Sequence, residues 1–268
     1  MKQRFAARPF ALLLTVVVLA SVAWMTAAQD QPPDRSRRVL IFSGTGWFRH
    51  PEIPRTNGWL VSVLTEAGFV VDVSETPKDL TPARLAQYKV LVLNNANELT
   101  TLFNDQQRQA VEAWYKKGGG LVALHAALVH QTKWKWFNDL AGCDFNSDSD
   151  FLPAKIVIDP ANKDHPSVQG FGPEFAYSAD WTNHDRAVTG LPGVKVLFRV
   201  DESTYQPVRD FFKTQGGKAM GKDHPAAWLR EHDGGRFFYT ELGHDLRSLD
   251  TKFGRKHVTE GVRWAAGK

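Results

Sequence analysis

Short, uninterrupted apolar runs separated by helical stretches constrain this chain most. The runs are 39–44 (VLIFSG), 69–74 (FVVDVS), 88–95 (YKVLVLNN) and 121–125 (LVALH). The first run suits a strand buried on both faces and 88–95 reads as another buried strand, while 69–74 and 121–125 read as further strands. Between them, 58–68 (GWLVSVLTEAG) has helical spacing and a closing glycine, Thr81-Pro82-Ala83 reads as a helix start, and 105–117 (DQQRQAVEAWYKK) reads as a helix ending in Gly118-Gly119-Gly120. Strand–helix alternation predicts an α/β fold: a mostly parallel, flavodoxin-like or Rossmann-like sheet with helices on both faces. Further strands are expected at 154–158, 195–200, 226–231 and 236–242, the last two forming a hairpin through Asp233-Gly234-Gly235, before a helix over 249–266. No repeat or low-complexity linker divides 38–268, so a single domain is expected there.

The N-terminus reads differently. Lys2, Arg4 and Arg8 precede an uncharged stretch, 10–28, that closes on Thr26-Ala27-Ala28. A basic start, an apolar middle and a small-residue end describe a signal peptide over 1–28, followed by a flexible leader over 29–37. The protein is then expected to be exported, periplasmic or extracellular, with no stable membrane insertion; an uncleaved anchor is the alternative. The signal also accounts for the basic charge. Removing it takes three of the 33 basic side chains and none of the 29 acidic ones, so the net charge falls from +4 to +1. Basic residues are scattered rather than striped, which argues against nucleic acid as a partner. The single cysteine, Cys143, excludes a disulfide framework and a cysteine-based metal cluster. It lies in a polar segment away from any strand-to-helix turn and reads as a small buried thiol.

In open α/β sheets, ligands bind beyond the carboxyl ends of the strands. The residues expected there are Trp47, Arg49 and His50 after the first strand, Asn95 after the third, His125 after the fourth, and His244 after the last. Imidazoles suit proton transfer near neutral pH and also divalent metals, although no HExxH-type spacing supports a metal site specifically. His125 occupies the place of a nucleophile elbow, where a serine or cysteine would stand in a hydrolase or amidotransferase. His125, His244 and His50 are therefore the candidate catalytic residues, with His125 and His244 as acid and base and His50, together with Arg49, binding or polarising a carbonyl or hydroxyl. Arg49, Trp47, Asn95, Asp180, Trp181 and His224 are expected to bind substrate, with Asp180 and His224 at the rim. Trp47, Phe48, Trp134, Trp136 and Trp181 suggest a carbohydrate platform, because a sugar's C–H face stacks on an aromatic ring. The glycine triplet is expected to be a tight turn rather than a phosphate cradle, His165 a turn residue, and the acidic group Asp144, Asp148 and Asp150 a solvated cluster.

The ordered segments 46–50 (GWFRH), 118–127 (GGGLVALHAA), 164–168 (DHPSV), 223–231 (DHPAAWLRE) and 235–244 (GRFFYTELGH) resemble the ThuA-like (trehalose utilisation) family. That resemblance implies the class I glutamine amidotransferase-like superfamily, with the amidotransferase cysteine replaced by His125. It also implies carbohydrate catabolism, with a sugar or keto-sugar derivative as substrate. Two segments depart from the family pattern. Ser147 and Asp148 stand where a histidine is expected, and 178–183 (SADWTN) offers Asp180 and Trp181 in place of an Asp-Glu-x-Tyr segment. The reading is an isomerase, lyase or hydrolase working by histidine acid/base chemistry, with a non-catalytic carbohydrate-binding protein as the alternative and an interaction module as the third.

Overall fold

The computed structural model describes residues 34–268. The expected signal peptide and residues 29–33 of the leader lie outside them. Arg35–Arg37 form a 3₁₀ turn, and Arg37 Nε donates to the Gly68 carbonyl at 2.9 Å.

One nine-stranded sheet runs in the order β2-β1-β3-β4-β9-β8-β7-β5-β6. Five strands make its parallel core: β1 (Arg38–Phe42), β2 (Val70–Ser74), β3 (Val90–Asn94), β4 (Gly120–Leu124) and β9 (Gly235–Thr240). The order 2-1-3-4 followed by a fifth parallel strand is the flavodoxin-like arrangement. From β9 outward every pairing is antiparallel, through β8 (Pro225–His232), β7 (Val194–Asp201), β5 (Phe145–Ile158) and β6 (Glu174–His184).

Alternate core-strand residues serve two apolar clusters. Val39, Ile41, Val90 and Val92 pack with side chains of α1 (Ile53–Glu66) and of α4 (Lys252–Ala265). Leu40, Phe42, Leu91 and Leu93 pack with those of α2 (Asp105–Lys116) and α3 (Lys135–Ala141). This two-sided use of β1 and β3 is why their apolar stretches contain no polar alternation, whereas β2, at the sheet edge, is partly exposed and carries Asp72. α1 begins five residues before the expected start, because Pro54 fits the first helical turn. α2 starts at a capping box formed by Asn104 and Gln107. The glycine triplet is a tight turn: a Cβ at Gly120 would stand 2.2 Å from the Ala265 carbonyl oxygen, which leaves no room for a side chain. The β8–β9 hairpin turns on Asp233 and Gly234, both at positive φ, as a type I′ turn requires.

The antiparallel wing holds the main departures from expectation. β5 begins at Phe145 rather than at 154 and carries register shifts between Phe145 and Ser147 and between Asp148 and Phe151. β6 had no apolar run to announce it, because Asp180, Thr182, Asn183 and His184 fill its buried end. Asp144 and Asp148 are buried rather than solvated. Asp144 accepts backbone N–H bonds from His130, Gln131 and Thr132. His165 does occupy a turn, where its Nδ1 shares a 2.8 Å hydrogen bond with Ser167 Oγ. Among the described residues no helix is long and apolar enough to cross a membrane.

Candidate functional site

At the carboxyl ends of the core strands the chain bends through unusual backbone. Asn95, Glu98, His125 and His130 all have positive φ although none is glycine. Such conformations persist only where surrounding structure over-determines them, and they gather at functional sites. His125 follows β4 at φ +49°, the strained elbow position. Asn97 holds the loop after β1: it accepts from Trp47 N at 3.1 Å and donates to the Phe48 carbonyl at 2.7 Å. Gly46 is needed there because a Cβ would lie 2.5 Å from the Glu98 carbonyl oxygen. Asn95 is fully buried and donates to the Gly243 carbonyl at 2.9 Å, so it fixes the His244 loop instead of meeting a ligand.

These loops bring His50, His125 and His244 together. One nitrogen of each lies within 4.8 Å of the others, and the ring centroids are 5.0–5.2 Å apart. His244 Nδ1 sits 3.2 Å from His125 Nε2 and makes a short ion pair with Asp180 Oδ2, which is itself 3.6 Å from His125 Nε2. Environment separates these groups. Burial, with the two neighbouring imidazoles, lowers His50 to about 2. Burial also lowers His125, outweighing the nearby Asp180 charge. For His244, burial is outweighed by the hydrogen bond and charge of Asp180, and its pKa rises. Burial would raise Asp180, but His125 and His244 together hold it below the usual carboxylate value.

The cluster opens on a cavity of about 650 Å³ whose wall also includes Trp47, Phe48, Phe145, Asp148, Arg209 and Phe211. Trp47, Phe48 and Phe211 are about half exposed or more and form an aromatic rim. Arg209 and Asp148 pair through both guanidinium edges, Nε to Oδ1 at 2.6 Å and Nη2 to Oδ2 at 3.1 Å. Burial nevertheless raises Asp148 to about 7.

Several expected residues stand elsewhere. Arg49 turns away to Glu75, 2.9 Å distant, and does not line the cavity. Trp181 is fully buried, its Nε1 donating to the Leu152 carbonyl, so it packs the core and does not stack on a ligand. Trp134 and Trp136 are likewise no platform: they donate to Glu112 and to Asp233 in the β8–β9 turn. His224 immediately precedes β8, as its position suggested, but it is sealed from solvent instead of lying at a rim. Its Nδ1 meets Glu202 at 2.8 Å and its Nε2 meets Glu241 at 3.2 Å. Cys143 is fully buried, and burial pushes its thiol up.

Sequence reasoning missed Arg209, Phe211 and Glu241. The first two sit in a segment without a recognisable motif, 208–212 (VRDFF). Glu241 lies inside the 235–244 segment, and a carboxylate beside a strand's apolar end was the available signal. Asp148 was visible as the residue standing where a histidine is expected.

A family model described as trehalose utilisation, ThuA, matches residues 38–265. The chain belongs to the ThuA family. It therefore sits in the class I glutamine amidotransferase-like superfamily, on a mixed α/β single-sheet fold. Solved structures agree in fold. A ThuA-like protein from Bacteroides uniformis ATCC 8492 is 19% identical with a TM-score of 0.70, covering 88% of this chain and 94% of its own. A ThuA-like protein from Parabacteroides merdae ATCC 43184 is 20% identical with a TM-score of 0.64, covering 86% and 90%. A chain of PurLQS from Thermotoga maritima is 13% identical with a TM-score of 0.52, covering 85% and 98%. No curated protein matches the chain.

Proposed function

We propose that this ThuA-family chain is an exported protein of carbohydrate catabolism that acts on a sugar or keto-sugar derivative by histidine acid/base chemistry. The observation that carries the reading is the Asp180–His244–His125 chain at the floor of an aromatic-rimmed cavity. Two imidazoles in contact, one pushed down by burial and the other held up by a carboxylate, form an acid and base pair. The neutral His125 is suited to remove a proton from a carbon beside a carbonyl or from a hydroxyl. The His244 imidazolium is suited to deliver one. No nucleophilic serine or cysteine is needed for an isomerisation, elimination or hydrolysis built from such steps. The aromatic rim supports a sugar ring as the ligand. Export is supported by the sequence of residues 1–28.

The rim supports a second reading equally well, a carbohydrate-binding protein without turnover. Deuterium wash-in separates the two. Keto-sugars incubated with the protein in D₂O are followed by NMR, and binding is measured calorimetrically on wild type and His125→Ala. An enzyme exchanges or converts the sugar and loses that ability in the variant while keeping affinity. Binding without exchange in wild type leaves the second reading, and neither binding nor exchange removes both.

A further inference from the structure

The imidazole cluster carries a further step, which rests on the cavity being the reaction site. We propose that His50, His125 and His244 hold a divalent transition-metal cation of the zinc class, with a coordination position open to the cavity. In a tetrahedral zinc site, Zn–N bonds of about 2.0–2.1 Å place ligand nitrogens roughly 3.3 Å apart. His125 Nε2 and His244 Nδ1 are already 3.2 Å apart, and all three donor nitrogens fall within 4.8 Å. His50 closes the set by a shift of at most about 1.5 Å.

A shared proton explains the His125–His244 contact but not the third imidazole. His50 is nearly buried, and its Nδ1 has no hydrogen-bond partner. Asp180 Oδ1 is buried and unpartnered beside it. Buried polar atoms left unpaired at one spot ask for a ligand. The supporting shell is also present. His125 Nδ1 donates to the Glu241 carbonyl, the kind of bond that fixes a metal-binding imidazole's tautomer and direction. Asn95 fixes Gly243 and hence the His244 loop. The donor set selects the metal class: three imidazoles and one adjacent carboxylate suit zinc, cobalt, nickel or iron(II), whereas calcium and magnesium need a shell of oxygens.

With the cation in place the three lone pairs become ligands, and the proton transfers given above to free imidazoles pass elsewhere. The cation polarises a carbonyl or hydroxyl oxygen at the open position. Asp148, on the cavity wall beside Arg209, is the carboxylate placed to take the proton.

The test uses the full chain, stripped by chelation and titrated with Co(II) and then Zn(II). Expected are one equivalent of Co(II) with the visible absorption of a tetrahedral site, its loss on adding Zn(II), and a raised melting temperature. His50→Gln keeps the fold by circular dichroism and weakens Co(II) binding about tenfold or more. Arg49→Ala, whose guanidinium pairs with Glu75 outside the cavity, binds as wild type. Uptake below roughly a tenth of an equivalent, or a Co(II) spectrum unchanged in His50→Gln, overturns the inference. Calorimetry with a keto-sugar on the stripped protein is read separately. Sugar binding without metal uptake refutes the metal site alone, and metal uptake without sugar binding refutes the substrate reading alone.

Discussion

The main-chain carbonyl of Glu241 accepts the Nδ1 proton of His125 at 3.2 Å, while the carboxylate of the same residue pairs with His224. A carbonyl oxygen can only accept, so this bond assigns the His125 tautomer: Nδ1 carries the proton and Nε2 presents a lone pair to His244 Nδ1. Glu241 therefore joins the imidazole that faces the cavity to a charge network sealed inside the fold.

His125 combines strain with chemistry, and two variants separate the contributions. Its φ of +49° costs roughly 1–3 kcal/mol for a residue with a Cβ. His125→Ala keeps that strain and His125→Gly removes it. Both are expected to lose about 10²-fold or more in turnover of a keto-sugar. His125→Gly should melt no lower than His125→Ala. Thermal unfolding of the pair checks this, and an alanine variant clearly more stable than the glycine one would contradict the strained elbow.

His224 should govern alkaline stability. Burial works to lower its pKa, but Glu241 and Glu202 outweigh it and hold the imidazole up to about 10, with the Tyr205 hydroxyl also facing Nδ1 at 3.3 Å. A folded pKa raised above 6.5 means the contribution is complete below that value and is lost as pH rises through the folded pKa. Glu241 is lowered although burial opposes it, through His224 and His184, so its contribution is lost at the acid end instead. Urea midpoints of the wild type should therefore fall between about pH 7 and pH 10. His224→Ala leaves buried carboxylates without their cation and should cost about 3–5 kcal/mol near neutral pH, with a flatter alkaline decline.

The two arginines near the site should behave oppositely. Arg49 and Glu75 are both more than 40% exposed at the side chain, so Arg49→Ala should change stability by less than about 0.5 kcal/mol and leave sugar affinity alone. Arg209→Ala strips the bidentate partner from the mostly buried Asp148. A loss of about 1–3 kcal/mol in stability and weaker sugar binding are expected, read by urea denaturation and calorimetry on the same preparations.

Legibility in the sequence followed burial chemistry. β1, β3 and β4 were readable because both their faces are buried and the centres of their runs, 39–42, 90–93 and 121–124, are wholly apolar. The convergence of His50, His125 and His244 was readable for a topological reason: each directly follows a parallel strand or its loop, and such strands end on one edge. The first part of β5, before the expected strand at 154–158, and the whole of β6 were not readable, because their buried positions hold Ser147, Asp148, Asp180 and His184, whose burial depends on partners distant in sequence. Asp180 reaches the site from β6, whose antiparallel pairing with the bulged β5 could not be inferred from periodicity. Arg49 and His224 were misplaced for a related reason. A charged side chain's direction is set by its ion-pair partner, and neither Glu75 nor Glu202 is near in sequence.

The tryptophans give a last contrast. Trp47 is 51% exposed on the cavity rim and Trp181 is 0% exposed in the core, although both were read as sugar platforms. Removing the exposed ring should leave stability within about 0.5 kcal/mol and weaken sugar binding by about 2- to 10-fold, the scale of one aromatic stacking contact. Truncating the buried ring to alanine opens a cavity and should cost about 3–5 kcal/mol, and the milder Trp181→Phe a fraction of that. Trp47→Ala and Trp181→Phe, compared by thermal unfolding and calorimetry, check the assignment, since the phenylalanine preserves enough packing for a binding measurement. A sugar affinity that falls in Trp181→Phe and not in Trp47→Ala would move the ligand away from the aromatic rim.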